Sequence, residues 1–203
     1  MTQRMPWYLP GATTLGVVCK DGVVLASEKR ASYGYLVLSK AAKKVFLITN
    51  RIGAACAGLI GDMQVLVREV SAYANLFELE HGRPMGVRAA AKLMSNLLFS
   101  RRLFPYITQT IVGGVDDEGP SIYTLDPLGS VIADKFAAVG SGAEIAIGVL
   151  EDLYREDMPT SEGREMVLRA MKSAMSRDAA SGDGVDLLII TESEGKEETI
   201  LFK

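Results

Sequence analysis

Histidine is nearly absent from this chain: of 203 residues, only His81 is one. It falls in Glu80-His81-Gly82-Arg83-Pro84, a composition that ends one helix and begins another, so a solvated turn position is expected for it. A Ser-His-Asp triad or a multi-histidine metal site asks more of histidine than one turn residue can give. Any catalysis here must run without it, and no metal or other cofactor is expected. Cysteine is almost as scarce. Cys19 and Cys56 both lie in apolar runs, which favours buried free thiols over a disulfide. Long apolar runs are missing too, since no segment approaches the ~20 residues of a spanning helix. The first twelve residues, MTQRMPWYLPGA, lack the apolar middle of a secretory signal. They hold the only tryptophan, Trp7, and two of the seven prolines, and they read as an extended arm. No basic stripe occurs either. Lys and Arg number 22 against 25 Asp and Glu, for a net charge of −3, which argues against nucleic acid or an anionic membrane as the main partner.

What is present is well ordered. The length suits one compact domain, which commonly spans ~100–200 residues. Residues 13–20 and 23–28 are β-rich and flank Asp21-Gly22, a favoured hairpin turn. Further strand-like runs cover 35–39, 43–48 and 53–61. From Asp62 to Glu80, Val65, Leu66, Val70, Tyr73, Leu76 and Phe77 recur at helical spacing, with Asp62 as the expected N-cap. A second helix is predicted over 85–102, with Pro84 in its first turn. Strands resume at 107–115, 120–125 and 129–138, helices follow at 143–156 and 161–177, and strands close the chain at 185–191 and 198–202. Strands, two helices, strands, two helices and strands again predict an α+β fold, a four-layer αββα sandwich with a helical layer on each outer side. A doubly wound sheet would instead alternate single strands with single helices.

Several polar residues stand out by context. Glu28 ends the second strand and Lys44 begins a later one; taken alone they read as a surface ion pair worth ~0–1 kcal/mol. Asp178 and Ser181 lie in RDAASGDG, where they could simply satisfy turn amides. Ser141 precedes a helix in VGSGAE, and GLIGD at 58–62 reads as a tight strand-to-helix turn.

Taken in order, these segments resemble one family over essentially the full chain. The carrying motifs are TTLGVVCKDGVVLASEKR, LSKAAKKVF, AGLIGD, FPYITQTIVGGVD, LDPLGS, VGSGA and RDAASGDGVDLLIIT. The chain resembles the β subunits of the proteasome core particle, in the archaeal style. The resemblance implies an N-terminal-nucleophile hydrolase fold and a cytoplasmic, ring-forming subunit of a barrel-shaped peptidase that degrades unfolded proteins. It implies α subunits, other β subunits (an active sister β among them) and a regulatory ATPase as partners. In active members the mature chain begins with a threonine whose hydroxyl attacks the scissile carbonyl, its own α-amine accepting the proton.

Carried onto this sequence, the resemblance makes Lys44 the ammonium beside the nucleophile, where it would depress the hydroxyl pKa. It makes Glu28 the acid that keeps Lys44 charged and oriented, and Asp178 the second carboxylate. Ser141 and Ser181 would complete a polar network around the terminal amine, and the Gly58 amide would line the oxyanion hole. Ala31, Ala42, Cys56 and Ile60 would form an apolar substrate pocket, although core packing is an equal reading for them.

One departure matters. Active relatives read Gly-Thr-Thr-Thr, then a hydrophobic residue and a glycine; here the same register reads Gly11-Ala12-Thr13-Thr14-Leu15-Gly16. Ala12 therefore stands at the nucleophile position. Using Thr13 instead would advance the chain ~3.3 Å and turn the side chain to the opposite face. Thr13 is retained as the fallback nucleophile of an alternative, self-processing enzyme. Without a hydroxyl at position 12 the arm, residues 1–11, is expected to stay attached to the 12–203 domain.

Overall fold

Side-chain alternation gives the first strand two different neighbours. In β1 (Thr13–Cys19), Leu15, Val17 and Cys19 face a helical layer, whereas Ala12, just ahead of it, packs between two sheets. The computed structural model describes residues 11–202, so the expected arm lies outside the described residues except for Gly11. β1 pairs antiparallel with β2 (Gly22–Glu28), Cys19 opposite Gly22. The turn itself is Lys20-Asp21, one residue earlier than predicted. Asp21 is drawn off to a distant helix start, where its carboxylate accepts from the Thr160 N–H at 2.7 Å and the Thr160 hydroxyl at 3.0 Å.

Next come β3 (Ala31–Tyr33) and β4 (Leu36–Ser39), which close a hairpin on themselves, then β5 (Val45–Thr49) and β6 (Ile52–Gly58). Two helices follow, α1 (Ile60–His81) and α2 (Val87–Ser100). After them run β7 (Thr108–Asp116), β8 (Gly119–Leu125), β9 (Val131–Asp134) and β10 (Phe136–Gly140). The chain ends with α3 (Ala143–Leu153), α4 (Thr160–Met175), β11 (Gly184–Thr191) and β12 (Gly195–Leu201). One sheet has the order β10-β1-β2-β11-β12 and the other β5-β6-β7-β8-β9, with every pairing antiparallel.

The four-layer αββα order expected from the sequence is the one found. Val24, Ala26 and Leu187 meet Val167, Ala170 and Met171 of α4 on one outer side. Ile52, Ala54 and Val112 meet Leu66, Val70 and Met94 on the other. Val23, Leu25, Ala55, Ile111, Ile122 and Leu188 fill the space between the sheets. Strands buried on both faces read as continuous apolar runs, and at ~1.5–3 kcal/mol for each large side chain buried, the inter-sheet layer is a principal source of stability.

Three local expectations are corrected. The segment 129–138 is two strands, not one: after a bend at Lys135 the chain leaves one sheet as β9 and enters the other as β10. Asp62 is not an N-cap, because α1 starts two residues before it; its carboxylate accepts from the Ile107 N–H at 2.8 Å. Pro84 lies ahead of α2, whose first N–H, that of Val87, is satisfied by Asp116 at 2.7 Å. His81 is the last, exposed residue of α1, stacked on Phe77.

Both cysteines are buried and free, as expected. Burial pushes each thiol up to about 12, and the thiolate is the reactive form. We expect a thiol reagent at neutral pH to leave the native chain unlabelled and to modify both cysteines once it is denatured. Rapid labelling of the native state at either position would contradict the packing described.

Candidate functional site

Three segments converge at one end of the first sheet: the start of β1, the β10–α3 turn and the α4–β11 turn. Pairing of β1 with β10, Thr13 opposite Gly140, brings the first two together. Asp178 is the hub. One carboxylate oxygen, Oδ2, accepts from the hydroxyls of Ser141 and Ser181, each at 2.6 Å. A hydroxyl has one proton to give, so once each serine donates to Asp178, each receives from the start of β1. The Ala12 N–H donates to Ser141 Oγ at 3.1 Å, and the Thr13 hydroxyl donates to Ser181 Oγ across 2.7 Å. The network thus runs from two consecutive residues, through two serines, into a single carboxylate.

The second group is an ion pair. Glu28 ends β2 and Lys44 immediately precedes β5, and their side chains are 0% and 2% exposed. Lys44 Nζ donates to Glu28 Oε1 and, at 2.7 Å, to the Arg30 carbonyl. Glu28 Oε2 accepts the N–H groups of Arg30 at 2.6 Å and Gly182 at 3.1 Å. The surface reading of this pair therefore does not apply. Burial lowers the Lys44 pKa from the usual ammonium range, and the Glu28 carboxylate works against that shift. Burial likewise raises Glu28, opposed by Lys44.

A cavity of about 470 Å³ joins the two groups. Gly11, Lys44, Gly58 and Ser141 line it, with Ala31 and Ile60 on its apolar side. A neighbouring cavity of about 340 Å³ shares Gly11, Gly58 and Ser141 and extends past Ile107 and Gln109. Gly58 sits between them at φ 136°, and an added Cβ would lie 2.1 Å from the Ile107 carbonyl oxygen. Only glycine fits there.

The expected residues thus fall into three sets. Ala12, Ser141, Asp178 and Ser181 share one network; Glu28 and Lys44 form the buried pair; Gly58, Ala31 and Ile60 face the cavity. Ala42 and Cys56 do not line it. Cys56 is fully buried in the layer between the second sheet and its helices, and its sulfur accepts from Thr110; Ala42 is buried with its N–H on the Lys29 carbonyl. Thr13 joins the cluster through Ser181, on the helix-facing side of β1 opposite to Ala12. Sequence reading missed Arg30 and the hairpin residues Tyr33, Tyr35 and Leu38 on the cavity wall. Exposed aromatics around a Tyr-Gly-Tyr turn were the available signal.

In chemical terms the site offers a proton-accepting network at the amide of residue 12, a buried ammonium on the same cavity and a glycine wall. At residue 12 itself it offers only a methyl group. Residues 9–190 match the family model described as "Proteasome subunit". Similar proteins include "Proteasome subunit beta 1" of Nitrosopumilus maritimus, 50% identical over 96% of this chain and 97% of its own length. "Proteasome subunit beta 2" of Caldivirga maquilingensis is 48% identical over 93% and 94%. "Proteasome subunit beta 1" of Ignicoccus hospitalis is 49% identical over 89% and 91%.

Proposed function

Because the chain belongs to the proteasome subunit family, we propose that it is a β subunit of the core particle that builds the ring without cutting peptides in its own pocket. The observation that carries this reading is Ala12. It is fully buried, its N–H is held by Ser141, and the surrounding network and ion pair are complete. Attack on a carbonyl needs a hydroxyl or thiol at that position, and alanine has neither. The same lack removes self-cleavage at Gly11-Ala12, so residues 1–11 remain on the chain. Peptide hydrolysis then falls to an active sister β subunit in the same ring, with α subunits stacked outside and a cytoplasmic ATPase delivering unfolded protein. Thr13 is the other nucleophile to weigh, and its commitment to Ser181 on the opposite face of β1 speaks against it.

The test is to purify the assembled particle and measure its size and the intact mass of this chain. We expect a large ring assembly containing the full-length chain. A stable free species of 21.9 kDa under assembly conditions would overturn the ring role, and a mass beginning at Thr13 would install the self-processing reading instead.

A further inference from the structure

Arg30 touches both halves of the site. Its backbone N–H donates to Glu28 Oε2 at 2.6 Å and its carbonyl accepts from Lys44 Nζ at 2.7 Å. Its side chain reaches the opposite way, to the turn that carries Asp178 and Ser181. There Nε donates to Asp183 Oδ2 at 2.8 Å and Nη1 to the Ala179 carbonyl at 2.9 Å. The turn lies flat against the guanidinium, since a Cβ on Gly182 would come within 2.4–2.6 Å of Arg30 Nη2 and Cζ. Asp183 itself has φ 71°, a left-handed conformation that Asp and Asn tolerate better than other side chains. Both partners are shielded, at 23% and 13% exposure. Among the described residues the other cation near Asp183, Lys40, is 3.7 Å away and 73% exposed, so the guanidinium is the principal partner.

We propose that Arg30 and Asp183 form a positioning pair that fixes the 178–183 turn against the Glu28–Lys44 pair, so that the hydroxyl network and the buried ammonium are held together around residue 12. The catalytic part of this inference rests on the site reading above; the structural part does not. Neither side chain is a reacting group. The demand is for arginine specifically, because two donors in a rigid fork reach two acceptors on one turn, and a lysine has one flexible point charge to offer. Arg30 and Asp183 support each other electrostatically: hydrogen bonding to Arg30 holds the Asp183 carboxyl below the usual carboxylate range.

The experiment uses the full chain and two variants. Arg30→Lys keeps the charge and both backbone contacts while losing the fork; Asp183→Asn keeps a residue suited to positive φ while losing the charge. In the otherwise unchanged chain, amide exchange at Ala180, Ser181 and Gly182 should accelerate about tenfold or more in both variants, with the β1–β2 ladder unaltered. Unchanged exchange in the turn, or equal acceleration in turn and ladder, would overturn the pair as a positioning device. In the Ala12→Thr background, both variants should lower kcat by about tenfold or more with KM nearly unchanged, as expected for misplaced rather than missing groups. A fall confined to KM would also count against the proposal. If Ala12→Thr alone proves inert while turn exchange responds as stated, the pair stands as an organiser of the turn and the catalytic reading of the site fails.

Discussion

On the function proposed above, replacing Ala12 by threonine is expected to give the pocket the nucleophile it lacks and to make it a working one. The introduced hydroxyl would stand where the Ser141–Asp178–Ser181 network already holds the residue's amide and where the Lys44 ammonium already faces the cavity. Two changes should appear together: loss of residues 1–11 by cleavage after Gly11, and hydrolysis of a peptide with an apolar side chain for the pocket walled by Ala31 and Ile60. Catalytic groups that act as a unit lose nearly everything when one is missing, so recovery should span several orders of magnitude rather than a graded fraction. The assay reads the mass of the chain and peptide turnover in assembled particles. A well-assembled Ala12→Thr particle that neither processes nor turns over substrate would reduce the surviving polar residues to structural remnants.

The matching control is Thr13→Ala. In the parent chain the Thr13 hydroxyl makes one buried hydrogen bond, to Ser181, which keeps its own bond to Asp178. Its removal should cost roughly 1 kcal/mol of stability. In the Ala12→Thr background it should leave processing intact, because alternation along β1 puts the side chain on the face of Leu15 and Val17, which pack against helices.

How much of this was legible beforehand depends on whether a feature is local. The β1 register was legible because alternation is a property of the strand itself: once Gly16 and the hairpin are aligned, Ala12 and Thr13 must face opposite ways. The layer order was legible because helix pairs interrupt the strand sets. The groups that satisfy the helix starts were not, because the carboxylates that serve α2 and α4 come from Asp116 and Asp21, distant in sequence. The sheet switch at Lys135 left no trace either, since β9 and β10 carry ordinary strand residues. Cys56 was misplaced for a different reason. It lies in a run that is apolar at every position and buried on both faces, so periodicity could not say which side met the cavity. The role of Arg30 was not legible because it lies in reaching the 178–183 turn, about 150 residues away in the chain.

The Glu28–Lys44 pair leads to the other large expected effect. A buried ion pair is poor evidence of stabilisation, because desolvation can consume the Coulombic gain; breaking one partner alone is nevertheless severe. Lys44→Met should therefore cost about 3–5 kcal/mol, leaving a buried Glu28 carboxylate held only by the Arg30 and Gly182 amides. Glu28→Gln should be costly for the converse reason, a buried ammonium with only the Arg30 carbonyl as partner. The double variant Glu28→Gln with Lys44→Met removes both charges, and the glutamine oxygen can still accept from the backbone amides. Its loss should fall short of the sum of the single losses by about 2–3 kcal/mol, the mark of directly coupled residues. Denaturant unfolding of the four chains measures this coupling. In the Ala12→Thr background, by contrast, the double variant should stay unprocessed and inactive however much stability it recovers, since no ammonium then faces the cavity. Additive losses would mean that the two side chains act independently. Recovered activity in the double variant would mean that the pair supports the fold alone, and the chemistry assigned to Lys44 would have to be given up.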